Sequence, residues 1–301
     1  MATANQRRRD TTLEPGVPTG AGNGIRSFLS RHPVVSYYML VFAISWGGIV
    51  LVMGPGGMFS TGATMPVAGG ALLTAGPSVA GLAMTVLVDG REGLRRLGSR
   101  LRRWQVGVRW YLVAFLTGPA VIGATTLGLS LAFHEFRPNF VPAADTFGIV
   151  VAGVALGLMV SLLEELGWTG FALPRLRRRF SVLATGLVMG LLWGAWHFPM
   201  FGGTTDPSGT LPNLLVVAVF LFAWLPPYRV LMVWVYDRTQ SLLLAILMHA
   251  PISATTFVLA ALGSEATSGI PLVAPVLIWA ALLWLIVGVV AWANGGRLTH
   301  R

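Results

Sequence analysis

Two adjacent glutamates, Glu164 and Glu165, stand in the run SLLEELGWTGFALPRL, behind an apolar stretch that reaches back to Phe147. A carboxylate at bilayer depth costs roughly 2.5–3.5 kcal/mol on insertion scales, so a pair of them calls for a task. Neighbouring side chains on a helix diverge by about 100°, and the two cannot face one partner. Ionising both in a low dielectric is unfavourable, and the pair should titrate as a coupled unit. One carboxylate can then serve as a base toward water while the other is held by a hydrogen bond or an ion pair. The competing reading has the helix emerge near residue 165, leaving both glutamates interfacial. The apolar continuation GWTGFAL argues against it.

Imidazoles appear on two later apolar stretches. His197 closes WGAWHFP, with Trp193 one turn earlier on the same face and Pro199 ending or kinking the helix. Taken alone, a histidine so placed reads as interfacial. His249 is more telling, since it lies in the middle of LLLAILMHAPIS, with Ser253 one turn on and Pro251 loosening the backbone between them. A mid-membrane histidine beside a hydroxyl and a freed carbonyl marks the lining of a wet cavity. Arg229, in LPPYRVLMVW, admits two readings: it snorkels to a nearby cytoplasmic end, or it pairs with one of the glutamates. Pro226–Pro227 should break that span in either case.

The elements that must position these groups follow from composition. Of 301 residues, 54% are hydrophobic and 11% charged, against about 25% charged in soluble domains. The chain therefore reads as an all-α, polytopic transmembrane helical bundle. Cysteine is absent, which excludes disulfides, thiolate nucleophiles and Cys-ligated metals. HExxH, the Walker phosphate loop and GxSxG are absent too, so zincins, P-loop enzymes and α/β-hydrolases have no support. The basic residues, all arginine, give a net charge of +10. Their grouping in particular loops makes them topology signals, and no nucleic-acid partner is expected. The lysine-free composition suggests a GC-rich bacterial genome.

With about 20 apolar residues per span, about eight spans are expected: 36–53, 69–88, 110–133, 147–167, 182–200, 211–236, 241–262 and 271–292. Arginines crowd the N-terminal tail (Arg7, Arg8, Arg9, Arg26, Arg31), the second loop (Arg91 to Arg109) and the fourth (Arg175 to Arg179). Arg238, Arg297 and Arg301 continue the alternation, whereas the intervening loops hold only Arg137. The positive-inside rule then puts both termini in the cytoplasm of a multi-pass cell-membrane protein. The expected organisation is a disordered basic tail over 1–32, one transmembrane domain over 33–294 and a short tail over 295–301, with no cleavable signal peptide. Residues 90–104, with Leu94, Leu97 and Leu101 at helical spacing among arginines, read as an interfacial helix or as a basic solvated loop.

These elements, in this order, resemble the CPBP intramembrane protease family (CAAX proteases and bacteriocin-processing enzymes, also called Abi). Its pattern is EExxxR on one span, [FW]xxxH on the next and HxxxN on a later one. EELGWT at Glu164–Thr169, WGAWH at Trp193–His197 and HAPIS at His249–Ser253 correspond, and the resemblance covers a core of about 147–260. It implies an intramembrane endopeptidase acting on a peptide or membrane protein within lipid. By that resemblance Glu164 activates water with help from His197, while His249 and Ser253 bind the water or the oxyanion. Two histidines with carboxylates could also hold zinc with an open position, the candidate ligands being Glu164, His197 and His249.

Two departures stand out: Thr169 occupies the family's arginine position and Ser253 its asparagine. We expect Arg229 to supply the missing charge within about 4 Å of a glutamate. A geometric tension accompanies this. His197 lies roughly 22 Å along its helix from Val182, at about 1.5 Å per residue, whereas the glutamates lie only a few turns from the basic loop. The groups meet only if the fourth helix runs on through about residue 172 or if tilt brings the ends together. Competing classes are a catalytically silent scaffold or immunity factor, and a proton-coupled carrier. The carrier is disfavoured because the candidate polar groups all follow residue 160, with no repeated half.

Overall fold

Long apolar runs with small residues and few charges can satisfy their backbone in lipid only as helices. The computed structural model describes residues 20–57, 65–134, 145–201, 212–261, 273–296 and 298, and every regular element among them is helical. In chain order these are α1 (Gly20–Arg31), α2 (Pro33–Met53), α3 (Val67–Leu101), α4 (Val108–Ala132), α5 (Thr146–Gly167) and the short α6 (Leu173–Leu176). They continue as α7 (Val182–Phe201), α8 (Asn213–Phe222), α9 (Leu225–Thr239), α10 (Leu242–Ala261) and α11 (Val273–Ala293). Seven helical stretches are long and apolar enough to cross a membrane, with α8 and α9 forming one of them. The remaining expected span is α10, whose apolar part, Leu242–Val258, is shorter. The chain is a multi-pass helical membrane protein.

The outer surface fits that solvent. Leu127, Leu131, Leu285 and Trp292 present most of their side chains outward, as lipid-facing residues do. Inside, α10 packs along α5, α7 against α9, and α3 against both α2 and α5. The α5–α10 contact is close because Gly157 lets the helices approach: a Cβ there would strike the backbone of Ala254. Ser78 of α3 donates to the Leu163 carbonyl, fixing α3 against α5 just before the glutamates. Trp46 of α2 donates to the Trp196 carbonyl of α7 at 3.2 Å.

Three local features refine the sequence expectations. Gly90 takes φ 59°, ψ −149°, and at this kink α3 turns while remaining helical to Leu101. The segment 90–104 is thus largely helix rather than loop, with Leu97 buried against Leu242 and Ile246. The sixth span breaks as expected: α8 stops at Phe222 and α9 starts afresh, with Pro226 and Pro227 in a first turn where the missing N–H breaks no helical bond. Of the tail expected to be disordered, 1–19 lies outside the described residues, while Gly20–Arg31 is helical. Composition concealed that helix because its flanks are polar; Leu29 nonetheless packs partly buried against the core.

Candidate active site

α5 does not stop at the glutamates. It continues through a π-helical turn, Trp168–Ala172, into α6, so one continuous helical stretch runs from Thr146 to Leu176. Of the two ways the groups could meet, extension through residue 172 or helix tilt, this is the extension. It carries Glu164 and Glu165 into the protein interior, where they are 2% and 0% exposed. A π turn widens the helix locally and commonly lies at functional sites. Here it brings Thr169 round to donate its hydroxyl hydrogen to Glu165 Oε2.

Glu165 is heavily partnered. Arg229 Nη1 lies 2.9 Å from both of its carboxylate oxygens, and His249 Nδ1 lies 3.0 Å from Oε1. A carboxylate only accepts, so the Nδ1 of His249 carries the proton. Arg229 is fully buried and thus cannot snorkel to water; the pairing reading holds and the surface reading fails. α9 makes this possible by restarting after the proline break, which sets Arg229 one turn into a new helix facing α5.

Glu164 is held differently. Trp193 Nε1 donates to its Oε2 at 2.9 Å. His249 Nε2 faces the same oxygen at 4.0 Å, beyond direct hydrogen-bond reach. No guanidinium bonds to it among the described residues. Two neighbours in sequence therefore have opposite surroundings: Glu165 is neutralised by a cation, and Glu164 is held by a neutral donor with one oxygen unclaimed.

Trp193 is the hub. Its ring lies under the Arg229 guanidinium at 4.2 Å and edge-on to His249 at 5.0 Å, while its carbonyl is 2.9 Å from His197 Nδ1. His197 is thereby turned toward its own helix, packed against Trp193 at 5.4 Å and Trp196 at 4.7 Å. It makes no hydrogen bond to either glutamate and joins the cluster through Trp193. Ser253 is partly exposed one turn beyond His249 and bonds to none of these groups. Among the described residues no three His, Asp or Glu side chains converge as metal ligands, so the donor set Glu164, His197 and His249 does not fit a zinc site.

Sequence reasoning placed Trp193 on the face of His197 but missed its donation to Glu164. Thr169 entered only as a missing arginine; its i,i+4 spacing from Glu165 was the available signal. Tyr228, which donates to the Met248 carbonyl at 2.6 Å and so ties α9 to α10 beside His249, left no signal beyond its adjacency to Arg229.

Fold and site together define a multi-pass helical membrane protein with a buried carboxylate–guanidinium–imidazole cluster built by α5, α7, α9 and α10. Residues 146–255 match the Rce1-like family, described as type II CAAX prenyl endopeptidase. "CAAX prenyl protease 2" of Methanococcus maripaludis is 28% identical over 144 residues, which cover 46% of this chain. The chain spans about half, 52%, of that relative's length. The similarity to the Rce1-like family thus runs over 146–255, and all four helices of the cluster contribute to that segment.

Proposed function

We propose that the protein is an intramembrane endopeptidase in which Glu164 activates water for peptide-bond hydrolysis. The observation that carries this reading is the asymmetry of the two glutamates. Glu165, Arg229 and Thr169 form a charge-balanced, hydrogen-bonded support that fixes His249 through Nδ1. His249 Nε2 is then left facing Glu164 Oε2, the oxygen that accepts from Trp193, across 4.0 Å, while the other oxygen of Glu164 stays unclaimed. With Glu165 balanced by Arg229, the cluster is neutral when a single further proton resides on Glu164 or on His249.

The chemistry follows from the proton's two stations. The Glu164 carboxylate removes a proton from water, and the water oxygen bonds to the scissile carbonyl carbon. His249 in its protonated form donates from Nε2 toward the oxyanion that develops. The carbon–nitrogen bond then breaks, and Glu164 returns its proton to the leaving amine. His197 and Trp193 act as positioning residues that hold Glu164 from α7.

The substrate is a peptide or membrane protein presented within lipid, and, since the relative is named a CAAX prenyl protease, prenylated peptides are the first to try. The arginine loops and both termini face the cytoplasm of a cell-membrane protein, as the positive-inside rule directs. Purified protein and its Glu164→Gln variant should be compared on a panel of prenylated and unmodified membrane peptides, with and without chelator. The expected result is cleavage by the parent and a loss of roughly 10²–10⁴-fold in the variant. Undiminished turnover by Glu164→Gln would sink the proposal.

A further inference from the structure

At the end of the bundle that carries the arginine loops, α3, α6 and α9 line a half-open cavity of about 290 Å³ whose lining includes Asp89, Arg96, Arg100, Arg175, Arg178 and Tyr236. Positive-inside topology needs arginines in a loop; it does not need them folded round a hollow. The lining sets four guanidinium groups against the carboxylate of Asp89, with Glu92 reaching Arg96 from outside the lining at 3.7 Å. Asp89 is shared, at 2.6 Å from Arg175 and 3.3 Å from Arg96. Arg100 is spent on neutral oxygens: the Arg96 carbonyl at 3.2 Å, Tyr236 Oη at 3.0 Å and the Gly170 carbonyl at 3.0 Å. Those bonds fix its direction and leave its charge uncompensated. Arg178, exposed at the rim, forms no ion pair among the described residues.

Depth decides what such a cavity meets. The spanning stretches Thr146–Leu176 and Asn213–Thr239 end at it, which puts it level with the lipid headgroups. Trp104, largely exposed just after α3, and Trp110, with Arg109 over its ring at 5.4 Å, mark the same interface. Basic pockets between spanning helices at this depth suit phosphate-bearing headgroups. Arginine's planar fork matches a phosphate better than any other side chain does.

We propose that this cavity is a binding site for a phosphate group, supplied by the headgroup of an anionic phospholipid. Arg96 and Arg178 reach the phosphate from the rim, and Arg100 and Arg175 supply fixed positive charge from the wall. Through Arg100 the site adjoins the catalytic cluster, because Gly170 follows Thr169 in the π turn. The proposal concerns binding alone and stands or falls independently of the hydrolytic reading.

The test uses the full chain in an uncharged detergent, titrated with phosphatidylglycerol, phosphatidylcholine or inorganic phosphate, with bound lipid read by native mass spectrometry. Phosphatidylglycerol should bind in preference to phosphatidylcholine, and the preference should fall as salt rises. Arg178→Gln, at an exposed position without an ion-pair partner, should weaken phosphatidylglycerol roughly fivefold, and Arg178→Lys should recover most of it. Inorganic phosphate that displaces the lipid only at far higher concentration confirms the lipid as the source. Phosphate as strong as the lipid would keep the anion site and overturn the lipid source. Equal retention of phosphatidylcholine, or no response to Arg178→Gln, would overturn the site itself.

Discussion

Glu164 and Glu165 are the same residue type one position apart, and only their neighbours distinguish them. Glu165 meets a guanidinium, a hydroxyl and an imidazole N–H, whereas Glu164 meets an indole N–H and an open side. The Arg229–Glu165 pair is completely buried, so its worth depends on both members being present. Removing one partner of such a pair costs about 3–5 kcal/mol, mostly because the other charge is stranded, whereas replacing both is far milder. Arg229→Met should therefore lower thermal stability sharply in detergent, and the double variant Arg229→Met/Glu165→Gln should recover much of the loss. A double variant at least as unstable as the sum of the singles would show that the two do not act as a pair. The sequence made the pairing legible because Thr169 stands at the family's arginine position, so a second cation had to be sought. Trp193 was less legible: a tryptophan in an apolar helix reads equally as packing, and only the rotation of α7 aims its N–H at Glu164.

Elements were easier to read than their faces. Hydropathy located most helix ends to within a few residues, because each helix must bury or lipid-coat a long apolar run, but it stopped short of the ends of α3 at Leu101 and of the α5 stretch at Leu176. What hydropathy cannot carry is how each helix is rotated about its axis. That is why His197, on the expected helix, bonds to its own backbone rather than to a glutamate. The π turn at Trp168–Ala172 escaped for a similar reason: it needs no special residue, only one more per turn, and is stabilised by Thr169 reaching Glu165. The α5–α10 contact is the joint on which the site depends, since α5 brings the glutamates and α10 brings His249. Gly157→Leu would drive a side chain into the Ala254 backbone, an overpacking that costs about 1–3 kcal/mol or more. It should lower the melting temperature and separate His249 from Glu165. Gly128→Ala, at a position of α4 where an added Cβ meets nothing within 4 Å, should be neutral or slightly stabilising. Equal effects of the two in a melting experiment would remove the close approach from the argument.

At the scale of the whole molecule, the exposed arginines among the described residues gather at one end. Arg175 pairs with Asp89 at 2.6 Å, Arg177 with Asp237 at 2.8 Å, and Arg100 and Arg238 reach Tyr236 and Asn294. The loops on that side are thus tied to one another by ion pairs and hydrogen bonds, and an insertion that reversed the molecule would carry the whole set across the membrane. Positive charge is retained on the cytoplasmic side during insertion, so this end should face the cytoplasm. The chain offers a clean test because it contains no cysteine. A single cysteine at Arg95, a side chain 78% exposed at the arginine-rich end, should resist a membrane-impermeant maleimide on intact cells and react once they are permeabilised. One at Gly56, where an added Cβ meets nothing within 4 Å and which follows α2 across the bilayer, should label on intact cells. The reverse pattern would invert the topology and turn the glutamate cluster's nearer end to the outside. Labelling of both positions on intact cells would mean that the bundle inserts in two orientations and that loop charge does not decide between them.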